Sequence, residues 1–152
     1  MLKIYPAKTG KDAKMAKTLF DEFNIFLENK LPKYKDLPQK YHGPIRCTLI
    51  ANYDGVDVGC VKLREESDKE CIMLGLYVKE ELRHKGIGKR LADDIIKYAR
   101  QMGYDYMRLV TYKPLDAAIK LYESLGFEKI DPYTKVPLEL EELAVYMELK
   151  LG

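Results

Sequence analysis

Histidine and cysteine are scarce in this chain, with two and three copies among 152 residues. With His42 and His84 alone, a His-rich metal site is excluded. Cys47, Cys60 and Cys71 cannot all pair within the chain, and they lack the close paired spacing of zinc ligands. Each falls in a stretch that reads as strand, so they are expected to be small buried residues in a reducing compartment. The net charge is only +2, which gives no compositional reason to expect nucleic acid; any basic site has to arise from local clustering. No uninterrupted apolar run is long enough to cross a bilayer, and no membrane partner is expected. The opening Met1-Leu2-Lys3-Ile4-Tyr5-Pro6 lacks the sustained apolar stretch of a signal peptide. The expected location is cytoplasmic.

What is present suits one domain over residues 1–152. Hydrophobic types make up 47% and charged types 33%, the balance of a soluble globular chain with one core. Leu2 to Tyr5 reads as an edge strand. Thr9 and Asp12 offer a helix start, followed by Ala16, Leu19, Phe20, Phe23, Phe26 and Leu27 as a buried stripe. From Leu31 to Ile45 three prolines interrupt any pattern, and a long loop is expected. Asp54-Gly55 predicts a hairpin between strands Arg46–Tyr53 and Val56–Leu63. Arg64 to Glu70 reads as a solvated turn. Cys71 to Val78 shows no polar alternation, as expected of a strand covered on both faces. A helix from about Gly86 to Met102 stops at Gly103, with Ile87, Leu91, Ile95, Tyr98, Ala99 and Met102 inward. Tyr106–Thr111 is another strand, and Pro114 opens a third helix that Gly126 ends. Phe127–Ile130 and Leu143–Lys150 complete the strands. The sum is an α/β chain (α+β in its mixed sheet) of order β-α-loop-β-β-β-α-β-α-β-β.

The most informative segment is Arg83-His84-Lys85-Gly86-Ile87-Gly88-Lys89-Arg90, between a buried strand and a helix. The first turn of a helix carries N–H groups without intrahelical partners, and the macrodipole makes that end electropositive. Gly86 and Gly88 would let an anion approach the backbone. Four basic side chains at this end oppose the dipole, a local conflict that an anion-binding site would leave in a sequence. Neither the P-loop string nor the placement of a dinucleotide-binding turn fits.

Three strings together resemble the GNAT superfamily of N-acetyltransferases. They are Leu76-Tyr77-Val78; Arg83-x-x-Gly86-x-Gly88; and Ala118-x-x-Leu121-Tyr122-Glu123-x-x-Gly126-Phe127. The resemblance implies a twisted central sheet with helices on both faces. Two neighbouring parallel strands, ending near Val78 and Thr111, splay apart in it. It implies acetyl-CoA as cosubstrate, with no metal. Pantetheine would lie along Leu76, Tyr77 and Val78. Pyrophosphate would lie on the amides of His84, Lys85, Gly86, Ile87, Gly88 and Lys89, with Arg83 nearby. Tyr122 matches the family's general acid toward the departing sulfur, and a backbone N–H near Tyr77 or Val78 would meet the oxyanion.

The sequence departs from the pattern where Ile72, Leu74 and Gly75 replace a carboxylate and basic residues, and where Leu115 replaces a CoA-contacting asparagine. The base stays open among Glu70, His42, a tyrosine and water. Tyr34, Tyr41, Tyr133 and Tyr146 could form an aromatic acceptor pocket, and Glu139, Glu141 and Glu142 could attract a cationic amine. The expected partners are acetyl-CoA and a primary amine of a small molecule or protein, with a second copy of the chain as an option. A non-catalytic CoA-binding sensor or degenerate relative is the alternative function, and a basic protein-interaction domain is a third.

Overall fold

The computed structural model describes residues 1–31 and 44–152; His42, Tyr34 and Tyr41 lie outside these residues. Strand β1 (Leu2–Pro6) leads into helix α1 (Gly10–Lys30). Thr9 caps α1 reciprocally: its hydroxyl accepts from the Asp12 amide at 3.1 Å, and Asp12 accepts from the Thr9 amide at 3.3 Å. Such a cap contributes about 1 kcal/mol. Three antiparallel strands follow, β2 (Ile45–Tyr53), β3 (Val56–Glu65) and β4 (Glu70–Val78). The β2–β3 turn uses Asp54 at φ 51° and Gly55 at φ 90°, the left-handed pair that the hairpin dipeptide predicts. Then come α2 (Ile87–Gln101), β5 (Tyr106–Tyr112), α3 (Asp116–Ser124), β6 (Glu128–Ile130) and β7 (Ala144–Lys150). The sheet order is β1-β2-β3-β4-β5-β7-β6.

Helices cover both faces. Leu49 and Ala51 of β2 point into a core built with Ile87, Leu91, Ile95 and Ala99 of α2 and with Tyr122 and Phe127. Ile50, between them, joins Cys60 with Ala16 and Leu19 of α1 on the other face. Cys60 and Cys71 are buried, and burial pushes both thiols up to about 12, as befits unreactive core residues. Among the described residues no helix is long and apolar enough to cross a membrane.

Among the described residues β4–β5 is the one parallel strand pair, and it is registered only at Glu70–Tyr106, Cys71–Met107 and Ile72–Arg108. Beyond Ile72 the strands part, so the expected splay is present. A bulge accompanies it. Cys60 pairs with Tyr77 and Lys62 with Leu74, which leaves Gly75 and Leu76 opposite Val61 alone. Gly75 takes φ 65°, a conformation that costs residues with a Cβ. The bulge changes which side chains face α2: Cys71 and Met73 before it, Leu76 and Val78 after it.

Several expectations are corrected. Arg64 and Glu65 belong to β3 and Glu70 to β4, so the solvated turn is shorter than the charge run suggests. Phe20, Phe23 and Phe26 are half-buried rather than core, and Met102 is exposed because the helix ends before it. The apolar run of β4 is buried on both faces only up to Met73; from Leu74 most of it opens onto the gap that β5 leaves.

The closest steric constraint on β4 comes from β3. A methyl on Gly59 would sit 2.7 Å from the Tyr77 carbonyl oxygen, a backbone atom that cannot step aside without moving β4. Gly59→Ala is expected to lower unfolding free energy by about 1–3 kcal/mol, read from the urea midpoint; an unchanged midpoint would contradict this packing.

Candidate active site

Where β4 and β5 part, a cleft of about 1140 Å³ opens between Ile72–Val78 on one side and Leu109–Tyr112 with the start of α3 on the other. Backbone groups of β4 that β5 would otherwise pair face this space. Gly86, Ile87, Gly88 and Lys89 line the Val78 end. Arg64, registered opposite Ile72, and Tyr133 to Pro137 line the other. Phe23, Phe26, Leu27 and Lys30 of α1 complete the wall.

The α2 mouth has the backbone features that suit an anion. His84 at φ 65° and Gly86 at φ 79° are both left-handed, turning the chain sharply before the helix. The cap residue Gly86 makes no side-chain cap bond, and the first turn holds no acidic residue. The leading N–H groups therefore have no counter-charge from their own first turn. Gly88 is instructive. A methyl there would lie 3.8 Å from both Leu121 Cδ2 and Val78 Cγ2, ordinary contact, and its φ is not left-handed. Packing does not demand a glycine at this position; close approach of a ligand to the backbone would.

Arg83 is held rather than free. Its Nε donates to the Val78 carbonyl at 3.1 Å, and its guanidinium carbon lies 4.4 Å from the centre of the Phe26 ring. Tyr77 donates its hydroxyl to Glu22 at 3.2 Å; burial first, then Glu22, pushes that phenol up to about 12. Tyr122 is buried, with its ring edge-on to Phe127 at 5.8 Å between centroids, and it lines the cleft. Its hydroxyl makes no hydrogen bond among the described residues, and burial pushes it up to about 12. Glu70 is engaged: Arg108 pairs with it and, at 2.7 Å, with Glu148. It does not line the cleft.

A model of the acetyltransferase (GNAT) family matches residues 14–127. An uncharacterized N-acetyltransferase of Schizosaccharomyces pombe is 33% identical over 118 residues, covering 76% of this chain and 71% of that protein. The chain belongs to the GNAT family of acetyltransferases. One of Dictyostelium discoideum is 42% identical over 83 residues, covering 55% of this chain but only 38% of its own length. A GNAT family acetyltransferase of Elizabethkingia anophelis, solved with acetyl-CoA bound, shares the fold with a TM-score of 0.66 at 18% identity, over 99% of this chain and 98% of that one. Acetyl-CoA is the donor that GNAT acetyltransferases use.

Of the GNAT residues expected from sequence, Leu76, Tyr77, Val78, Arg83, His84, Gly86, Ile87, Gly88, Lys89 and Tyr122 converge on this one cleft. Lys85 does not line it; its ammonium sits 5.8 Å from the centre of the Tyr53 ring. Tyr133 lines the cleft, and Tyr146 stands behind it, edge-on at 5.5 Å, with its hydroxyl donated to the Thr134 carbonyl at 3.1 Å. Glu139, Glu141 and Glu142 are exposed and outside the lining. Sequence reasoning missed Arg64, Phe23, Phe26 and Lys30. For Arg64 a signal existed: continuing the alternation past buried Leu63 puts it on the α1 face beside Lys62.

The two mouth glycines separate fold from ligand. Gly86→Ala is expected to cost about 1 kcal/mol through its left-handed φ, whereas Gly88→Ala is expected to leave the thermal midpoint unchanged or higher. A clear loss of stability in Gly88→Ala would restore packing as the reason for that glycine.

Proposed function

We propose that this chain transfers the acetyl group of acetyl-CoA to a primary amine of a small molecule or protein, by direct attack, with Tyr122 as general acid. The observation that carries this reading is the meeting, in one cleft, of an uncapped basic helix mouth, a strand edge that β5 leaves unpaired and a tyrosine hydroxyl without a hydrogen-bond partner among the described residues.

The pyrophosphate would rest on the amides at Gly86 to Lys89, whose dipole and N–H groups suit an anion. The pantetheine amides would take the strand-edge groups of Leu76 to Val78 in place of β5, as an added strand does. This directs the thioester toward Tyr122. The neutral amine attacks the carbonyl carbon, the carbon–sulfur bond breaks, and the sulfur accepts a hydrogen bond and then the proton of Tyr122. The attacking nitrogen loses its extra proton outward through water, since Glu70 is committed to Arg108. A backbone N–H near Tyr77 or Val78 would stabilise the oxyanion.

A CoA-binding module without turnover is the second reading. The capture of Glu70 by Arg108 favours it, because it takes away one candidate base. Thiol release with an amine panel separates the two.

Because burial raises Tyr122 to about 12, the phenol stays protonated below that pH and has a proton to offer throughout pH 6–10. The rate is expected to rise with pH as the amine deprotonates, with no fall from Tyr122 below pH 10. Tyr122→Phe removes a hydroxyl with no hydrogen-bond partner among the described residues, so stability should hold. Its kcat should fall about 100-fold while acetyl-CoA affinity stays within about twofold. Steady-state rates equal to those of the parent protein would remove Tyr122 from this role.

A further inference from the structure

Two guanidinium groups stand at the Ile72 end of the cleft, and the protein treats them differently. Arg108 has both sides filled, by Glu70 and by Glu148. Among the described residues Arg64 has a single hydrogen-bond partner, with Nη2 donating at 3.2 Å to Glu66. Its Nε is buried and has no hydrogen-bond partner among the described residues. A buried charged donor left unused is rare enough to require a ligand or another reason. Arg64 lines the cleft, with Tyr133 beside it.

The surrounding charge points the same way. Lys30 and Lys135 line the cleft together with Arg64. Among the described residues the one carboxylate in the lining is Asp116, which opens α3. A cleft selecting a polyamine or a lysine side chain would place carboxylates where the acceptor enters. Here the lining at that end carries cations, and the nearby carboxylates Glu66, Glu70 and Glu148 lie outside the lining, paired with Arg64 and Arg108.

We infer that the acceptor is a small amino carboxylate whose carboxylate group is held by Arg64. This rests on the acetyl-transfer reading above and adds the class of acceptor to it. Scale supports the assignment. Arg64 registers opposite Ile72, three residues before Gly75, a separation of about 10 Å along the strand. The reach of an arginine side chain shortens that gap to the length of an amino acid carrying its amine toward the thioester. Nε is sealed from the cleft, so the donors Arg64 offers are the terminal guanidinium N–H groups that Glu66 leaves free, charge-assisted donors of the kind arginine uses on carboxylates. Tyr133 lines the same part of the cleft.

The test is thiol release from acetyl-CoA with free amino acids, each paired with its carboxamide, alongside spermidine and a lysine peptide. Arg64→Gln and Arg64→Lys are run with the parent protein, and acetyl-CoA affinity is measured by calorimetry as a control for folding. The expected result is a preference for an acid over its amide of about 10- to 100-fold in kcat/KM. Arg64→Gln should erase that preference by raising acceptor KM, Arg64→Lys should keep part of it, and neither should shift acetyl-CoA affinity. Equal rates for acid and amide would overturn the inference, as would better turnover of spermidine or the peptide, or an Arg64→Gln loss shared by every acceptor and by acetyl-CoA. Acetyl-CoA binding with no thiol release from any amine would instead bring down the transferase reading, and this inference with it.

Discussion

Everything at the site depends on β4 losing its neighbour. Three residues of β4 pair with β5; the rest run on without it. In a sheet interior, unpaired amides and carbonyls would be costly, so a strand edge left open inside a cleft implies something else to bond. The Gly75 bulge is the local device. Two residues facing one on β3 bend the strand and reverse the sides to which its side chains point. Gly59 belongs to the same construction, since the close approach of the Tyr77 carbonyl leaves no room for a methyl.

Around that opening, charge is distributed by origin. At the α2 mouth, positive potential comes from the backbone itself, supplemented by Lys89 and by an Arg83 that is pinned to Val78 and stacked on Phe26. At the far end it comes from side chains, Arg64 with Lys30 and Lys135. Between them the walls are mostly apolar or aromatic, and among the described residues Tyr122 is held by packing, its ring edge-on to Phe127. An interior of that kind strengthens any hydrogen bond that a ligand brings to it.

The sequence made the frame legible because its punctuation is local. Asp54-Gly55, Gly103 and Gly126 all take the left-handed conformations that their positions predict. Thr9 and Asp12 cap α1 as their spacing suggests. The basic α2 mouth is legible for the same reason, since glycines and cations crowd into eight consecutive residues. What escaped is set by distant partners. Gly75 looks like any glycine until Val61 stands opposite it. Arg64 looks like part of a charged turn until β3 is seen to extend through it. Phe23 and Phe26 have the spacing of core residues, and only the departure of β5 turns them into walls of a cleft. Tyr122 was found through a family pattern; periodicity alone would have left it as a packed core residue.

The central claim is that a CoA diphosphate sits on the α2 mouth while the pantetheine follows the free edge of β4. Backbone amide chemical shifts recorded as coenzyme A is titrated into the protein test it most directly. The largest changes are expected at Gly86 to Lys89 and at Leu76 to Val78, saturating together. Changes confined to other parts of the chain, or none at millimolar coenzyme A, would contradict the account.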